Sequence, residues 1–249
     1  MEHIVPGMNL TYPINKQVDQ TSATFVNSPN LKLDTSITWI ISKNMEYYQD
    51  TFEHMKFMQD LVHRKYQSET VWILEMNSVY TSGKMASEAD ILFKDNPKSP
   101  YKNIPVISTS RGGKVTYHGP GQRVCYIMMD IKKRNIDIKK YVWMLEEVVI
   151  RTLNNFCVRG FRKQGLRGVF VEMPETGLHK KIAALGVSVA HGVTMHGFAL
   201  NNTVDLNFFN QIIPCGIKEY GVTSLKDYGV NVNNDSLDLA IQTAFYSVF

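Results

Sequence analysis

The chain has 249 residues, 44% hydrophobic and 20% charged, the composition of an ordinary globular protein long enough to bury a sizeable core. No stretch reaches the roughly 18 apolar residues of a membrane span, and Met1 to Asn30 lacks the basic and apolar regions of a secretory leader, so a cytoplasmic protein is expected. The net charge of +4 comes without a basic stripe interleaved with aromatics, which argues against nucleic acid as a partner.

Residues 1 to 34 are rich in Asn, Thr, Pro, Gln and Ser and show no period; they are expected to be an N-terminal extension, poorly ordered or draped over the surface, ahead of a single domain over residues 35 to 249. Ser36 to Ser42 predicts a strand, and Tyr48, Phe52, Met55 and Val62 form the stripe of an amphipathic helix. Thr70 to Met76 is apolar and β-branched enough for a buried strand. Further strands are predicted at Pro105 to Ser108, Gln122 to Asp130, Leu166 to Glu172, Lys181 to Val189 and Val193 to Leu200. A second helix over Asp137 to Phe156 has Asp137 as its cap and an apolar stripe from Tyr141 to Phe156. A last helix runs from about Ser236, capped by Asn234 or Asp235. Strands in adjacent groups, with helices between the groups, predict an α+β fold with a mixed, largely antiparallel sheet.

Three cysteines, Cys125, Cys157 and Cys215, are too few for a disulfide framework and too widely separated for a zinc site, so free thiols and no metal are expected. Cys125 lies in a strand-like run and Cys157 at a helix tail, and both read as structural; Cys215 sits between Pro214 and Gly216, a turn that would expose its sulfur. A lone cysteine is most often a small buried hydrophobe, so that placement alone does not make it a nucleophile. Lys132, Lys133, Arg134, Lys139 and Lys140 crowd one short window, either as a solvated helix start or as a docking patch for an acidic partner.

Two further segments invite chemistry. Arg111 to Gln122, R-G-G-K-V-T-Y-H-G-P-G-Q, combines glycines that let a ligand approach the backbone with the polar groups of Arg111, Lys114, Thr116, Tyr117 and His118. It carries neither nucleotide-phosphate spacing. Lys181 to Leu200 reads as two strands with a turn near Ala190 to Gly192; its small residues Ala183, Ala184, Gly186, Gly197 and Ala199 leave room either for a neighbouring helix or for an aliphatic chain.

Together these segments resemble the lipoyl(octanoyl) transferase family. R-G-G-K-V-T-Y-H-G-P-G-Q looks like the family signature, followed in order by K-I-A-A-L-G, M-H-G-F-A-L-N and I-P-C-G-I, so that the match runs from Tyr80 to the D-Y-G ending at Gly229. The resemblance implies the fold of biotin protein ligases and lipoate–protein ligases in one catalytic domain. It implies an acyl nucleophile at Cys215 and a catalytic lysine at Lys181, the lysine adjoining I-A-A, in preference to Lys180. The implied acyl pocket is Arg111, Gly112, Gly113, Lys114, Val115, Thr116, Tyr117 and His118, with Ala184, Leu185 and Gly186, and Gly197, Phe198 and Ala199. His118 and His196 sit in the two pocket segments and read either as groups that orient the acyl carbonyl or the lysine or as satisfied structural histidines; neither is assigned as the catalytic base. Octanoyl-acyl-carrier protein is the implied donor, carrying phosphopantetheine, with no cofactor on the enzyme. The implied acceptors are lipoyl domains of 2-oxoacid dehydrogenase acyltransferase subunits and the glycine cleavage H protein, and the enzyme is expected to be a monomer. The alternatives are an ATP-dependent lipoate–protein ligase, an octanoyl amidotransferase between lipoyl-domain proteins, and a non-catalytic acyl-binding module.

Overall fold

A computed structural model describes residues 37–93, 98–213 and 220–249. The expected extension over residues 1 to 34, and Cys215 with its neighbours, lie outside the described residues.

The elements are β1 (Ile37–Glu46), α1 (Tyr48–His63), β2 (Glu69–Met76), β3 (Val79–Ser82), β4 (Val106–Ser108), β5 (Val115–His118), β6 (Gln122–Met128), α2 (Ile138–Asn154), β7 (Val169–Glu172), β8 (His179–Ala190), β9 (Val193–Asn201) and α3 (Asn234–Tyr246), with short 3-10 turns at Glu88–Asp90 and Leu206–Gln211. A six-stranded sheet runs β1-β2-β6-β9-β8-β7. Only β1 and β2 pair parallel; every other ladder in it is antiparallel. This is the α+β, largely antiparallel arrangement expected.

The period of two along the strands divides the core. On β2, Val71 and Ile73 face the core shared with α2 and α3, while Trp72 and Leu74 face the core shared with α1. On β6, Cys125 and Ile127 face α2, and Val124, Tyr126 and Met128 face α1. With both faces covered, all seven residues of β6 are buried, which is why its sequence from Val124 to Met128 reads as an apolar run.

Helix ends follow local side-chain chemistry. Asp137 caps α2 by accepting from Lys140 N at 2.9 Å, as expected. At α3 the cap is Asn233, accepting from Ser236 N at 2.8 Å, rather than Asn234 or Asp235. Three short polar side chains occur in a row there; Asn234 instead donates to Glu75, and Asp235 lies within the first turn, where its charge complements the helix dipole. Cys157 is not a core thiol. It is exposed and left-handed (φ 57°) just beyond α2, where Val158 N donates to Leu153 O and Cys157 N to Asn154 O, closing the helix in a Schellman pattern.

Two features were not anticipated. The glycine-rich segment is not all loop: Val115–His118 forms β5, in a second sheet of order β4-β3-β5. The β-branched and aromatic V-T-Y core favours a strand, and Gly113 (φ 86°) and Gly121 (φ 83°) turn the chain on either side of it. Strand β7 begins at Val169 rather than Leu166 because Gly168 holds a φ of 121°, outside the extended range.

Candidate active site

The hairpin β8–β9 is closed by His191 (φ 53°) and Gly192 (φ 86°), two consecutive left-handed residues between the paired Ala190 and Val193, the geometry that keeps two strands in tight register. That register sets Ala184 opposite Ala199 and Gly186 opposite Gly197. Ala199 packs in the α1-side core, so this small-residue floor is on the α1 face of the sheet. At Gly197 a Cβ would overlap the Cys125 carbonyl, and at Gly186 it would stand 3.0 Å from Arg111 Cδ. Glycine at these two positions thus lets β6 and Arg111 approach.

Over this floor lies an open cleft. The R-G-G segment contributes Arg111, Gly113, Lys114, Val115, Thr116 and His118 to its lining; the hairpin contributes Ala184, Leu185, Gly186, Gly197, Phe198 and Ala199. Two residues of the expected pocket do not border it. Gly112 donates its N–H to the Val187 carbonyl, and Tyr117 turns into a separate apolar cluster with Tyr80, Phe93 and Phe209, where it stacks on Phe208 at 4.4 Å. Strand alternation also sends the Leu185 and Phe198 side chains to the α2 side, leaving their backbone at the cleft. Tyr126 and His196 line it unassigned by the sequence reading. Tyr126 sits in an apolar strand run, and only the pairing of Tyr126 with Gly197 reveals its position.

Arg111 is buried and fastened to β3. Its Nε and Nη2 donate to Thr81 Oγ1, Nη2 also to the Thr81 carbonyl, and Nη1 to Gly112 O at 3.0 Å. So tied, the guanidinium acts on the cleft mainly through its charge. Lys114 Nζ donates to Asp90 Oδ1 at 3.0 Å. Burial alone would raise the Asp90 carboxyl; hydrogen bonds from Ser87 and Lys114, with the charge of Lys114, bring it below the usual value.

Both cleft histidines are neutral at neutral pH. Burial, aided by the Arg111 charge, takes His118 down to about 4 against the opposing hydrogen bond with Gln122. Burial, then Arg111 and His118, take His196 to about 3. His196 has left-handed backbone (φ 66°) and bonds with Tyr48 Oη at 2.9 Å and Ser188 Oγ at 3.3 Å. Burial pushes the Tyr48 phenol up to about 12, so it stays protonated.

Lys181 is not among the cleft-lining residues, but it shares their face of the sheet. Between the pairs Val169–Ala183 and Phe170–Lys181, β8 carries one extra residue. At this bulge, Ile182 and Ala183 both point into the α2-side core, which places Lys181 and Ala184 together on the opposite face although they are three apart. Lys181 is buried, with Nζ 5.3 Å from the Phe170 ring centre, and among the described residues no carboxylate pairs with it. Lys180 is half-buried and reaches Asp227 at 3.7 Å. Two residues before Cys215, Ile213 N donates to Asp90 O; six after it, Gly221 O accepts from Lys181 N. The remaining thiols stand apart. Cys125 is fully buried with its titration pushed far up by that burial, and Cys157 is the exposed end of α2.

Comparison with known proteins places this geometry. The lipoyl protein ligase A/B catalytic domain family matches residues 48–246. An octanoyltransferase of Bradyrhizobium sp. (strain ORS 278) is 43% identical over 215 residues, covering 85% of this chain and 86% of that protein. One from Parvibaculum lavamentivorans is 43% identical, covering 85% and 92%. Among solved structures, the bipartite lipoate protein ligase of Thermoplasma acidophilum superposes with a TM-score of 0.61 at 16% identity, covering 85% of this chain and 82% of that one. A lipoate-protein ligase A bound with ATP gives 0.60 at 15% identity, covering 85% and 84%. These structures share the fold; the sequence relatives go further, and the chain belongs to the octanoyltransferases of the lipoyl protein ligase A/B catalytic domain family, acyltransferase enzymes of protein lipoylation.

Proposed function

We propose that this octanoyltransferase accepts its acyl group from octanoyl-acyl-carrier protein, holds it as a thioester on Cys215, and delivers it to a lysine of a lipoyl domain. The acceptors are the lipoyl domains of 2-oxoacid dehydrogenase acyltransferase subunits and the glycine cleavage H protein. The enzyme acts as a cytoplasmic monomer, as one domain over residues 35 to 249, and without a cofactor of its own.

The observation that carries this reading is the small-residue floor of Ala184, Gly186, Gly197 and Ala199 beneath the charge of Arg111, with Lys181 on the same face. An octanoyl chain needs an apolar slot without bulky side chains. A carbonyl gaining negative charge at its oxygen is stabilised by a fixed positive charge in a site of low dielectric.

A thiol suits the shuttle because exchange between thioesters is nearly isoenergetic, whereas the later step to an amide is downhill. A covalent intermediate also lets one protein partner leave before the other arrives. The buried Lys181 ammonium favours an adjacent thiolate over a thiol. In acyl loading, the Cys215 thiolate attacks the donor carbonyl, the C–S bond to phosphopantetheine breaks, and Lys181 supplies the proton to the departing sulfur. In delivery, the acceptor amine attacks the Cys215 thioester, Lys181 takes the amine proton, and the Cys215 thiolate leaves.

The ATP-dependent ligase reading shares the fold, and the two separate in one assay. Octanoyl transfer from acyl-carrier protein to an apo lipoyl domain should proceed with ATP and magnesium absent; a strict requirement for ATP would select the ligase. Lys181→Ala should slow alkylation of Cys215 at neutral pH, and unchanged alkylation would remove Lys181 from thiol activation.

A further inference from the structure

Gln122 and Asn201 are buried polar residues at the edge of the cleft, and neither lines it. The hydrogen bonds that hold them have a polarity fixed by the backbone. The Thr223 carbonyl can only accept, and Asn201 Nδ2 donates to it at 2.9 Å. Asn201 therefore turns Oδ1 toward Gln122, whose Nε2 donates to it at 2.9 Å. The Tyr117 carbonyl, also an obligate acceptor, takes a second bond from the same Nε2 at 3.3 Å. Gln122 is thus left presenting Oε1 to His118 Nδ1, at 2.7 Å. An amide oxygen cannot donate, so the proton of this bond belongs to Nδ1 of His118.

A neutral imidazole carries one N–H, so His118 Nε2 is then an unprotonated lone pair. A doubly protonated ring is disfavoured here: the charge of Arg111 shares the cleft with the buried His118, and among the described residues no carboxylate lines it. The same chain reaches the strand of Lys181, because Thr223 N donates to the Lys181 carbonyl at 2.9 Å. Thr223 Oγ1 in turn donates to Asp227, anchoring the far end.

We propose that Gln122 and Asn201 are positioning residues that lock His118 as its Nδ1–H tautomer, so that Nε2 accepts a hydrogen bond from the acceptor-lysine amine entering the cleft. The amine keeps its own lone pair free and directed at the acyl carbonyl, while one of its N–H bonds is held by Nε2. The role given to the amine rests on the octanoyl-transfer reading; the tautomer itself does not.

The test uses the full chain labelled with nitrogen-15 at histidine, with His118 assigned from the signals lost in His118→Asn. Wild type at neutral pH should show a protonated Nδ1 and an unprotonated Nε2. This measurement needs no perturbing variant, so it stands even where a variant fails to fold. Gln122→Leu should mix the tautomers and lower kcat for delivery to the lipoyl domain by about a hundredfold, the scale of a misplaced reacting group, with the KM of the acceptor little changed. Asn201→Leu, which removes the acceptor that fixes the Gln122 amide, should likewise lose the wild-type ring pattern. A wild-type His118 protonated on Nε2 overturns the proposal, as does Gln122→Leu with mixed tautomers and an unchanged delivery rate. If the ring shows the Nδ1–H pattern but the protein transfers no octanoyl group, the reaction reading and the role of Nε2 fall together, a failure seen in the assay and not in the spectrum.

Discussion

The two faces of the six-stranded sheet meet opposite demands. Toward α2 and α3, Tyr141, Leu145, Val148, Val149, Phe198 and Leu200 close a core of large, fully buried side chains. Toward α1, the β8–β9 end is stripped to Ala184, Gly186, Gly197 and Ala199, and the space they leave is the cleft. Both faces use the same strands and hydrogen bonds. Packing on one face supplies the rigidity, and omission of side chains on the other supplies the site, since interiors otherwise fill to crystal-like density. Fold and function are therefore separable by mutation, one residue apart along a strand.

The sharpest break of that separation is on the packed face. Leu145→Ala should lower unfolding free energy by about 2–5 kcal/mol in denaturant titration, while kcat/KM per folded molecule stays near wild type. A comparable loss of transfer activity in the folded fraction would show that the faces are coupled. The converse change is Gly186→Ala on the open face. Its Cβ meets Arg111 Cδ at 3.0 Å and Gly112 O at 3.1 Å, so the Arg111 side chain must give way. Octanoyl transfer should fall about tenfold, equivalent to about 1.4 kcal/mol in the barrier, with a far smaller loss of stability than Leu145→Ala. Full activity in Gly186→Ala would mean the position of Arg111 is not critical.

Acid should also distinguish the faces. His118 and His196 titrate in the folded protein at about 4 and about 3, below the ordinary value of 6.5. Between those values and 6.5 the unfolded chain binds more protons, so stability rises with pH through this window and is lost as pH falls from 6.5 toward 4. Replacing either histidine with a neutral residue should flatten that slope in melts recorded across the window; an unchanged slope would place the acid sensitivity elsewhere.

The smallest effect concerns the basic window spanning the start of α2. Arg134 holds Glu69 by a two-pronged ion pair with a 2.6 Å contact, so it belongs to the fold. Lys133, Lys139 and Lys140 are exposed and form the part of the window suited to an acidic carrier protein. Changing these three to Glu should weaken carrier binding severalfold at low salt and little at high salt. Unaltered affinity at low salt would leave them as solvated surface.

Much of this was legible in the residues. The stripe from Tyr141 to Phe156, the Asp137 cap and the turn between β8 and β9 are local signals, and local chemistry decided them. The segment over Arg111 to Gln122 and the small residues of the hairpin were picked out as two patches, and the register of Gly186 with Gly197 brings them to one cleft. What was hidden depends on partners distant in sequence. Strand β5 exists through its pairing with β3, and Tyr126 reaches the cleft only because it lies opposite Gly197. The bulge that brings Lys181 to the face of Ala184 is a mismatch of one residue between β7 and β8, which neither strand encodes alone. The Gln122–Asn201 chain joins residues 79 positions apart.

The shuttle through Cys215 is tested most directly by intact-mass measurement of wild type and Cys215→Ala after incubation with octanoyl-acyl-carrier protein and no acceptor. Wild type should gain a single octanoyl group that hydroxylamine removes and that an added lipoyl domain discharges, while Cys215→Ala gains none and transfers nothing. Octanoyl transfer at the wild-type rate by Cys215→Ala, or an adduct that survives the substitution, would contradict the account.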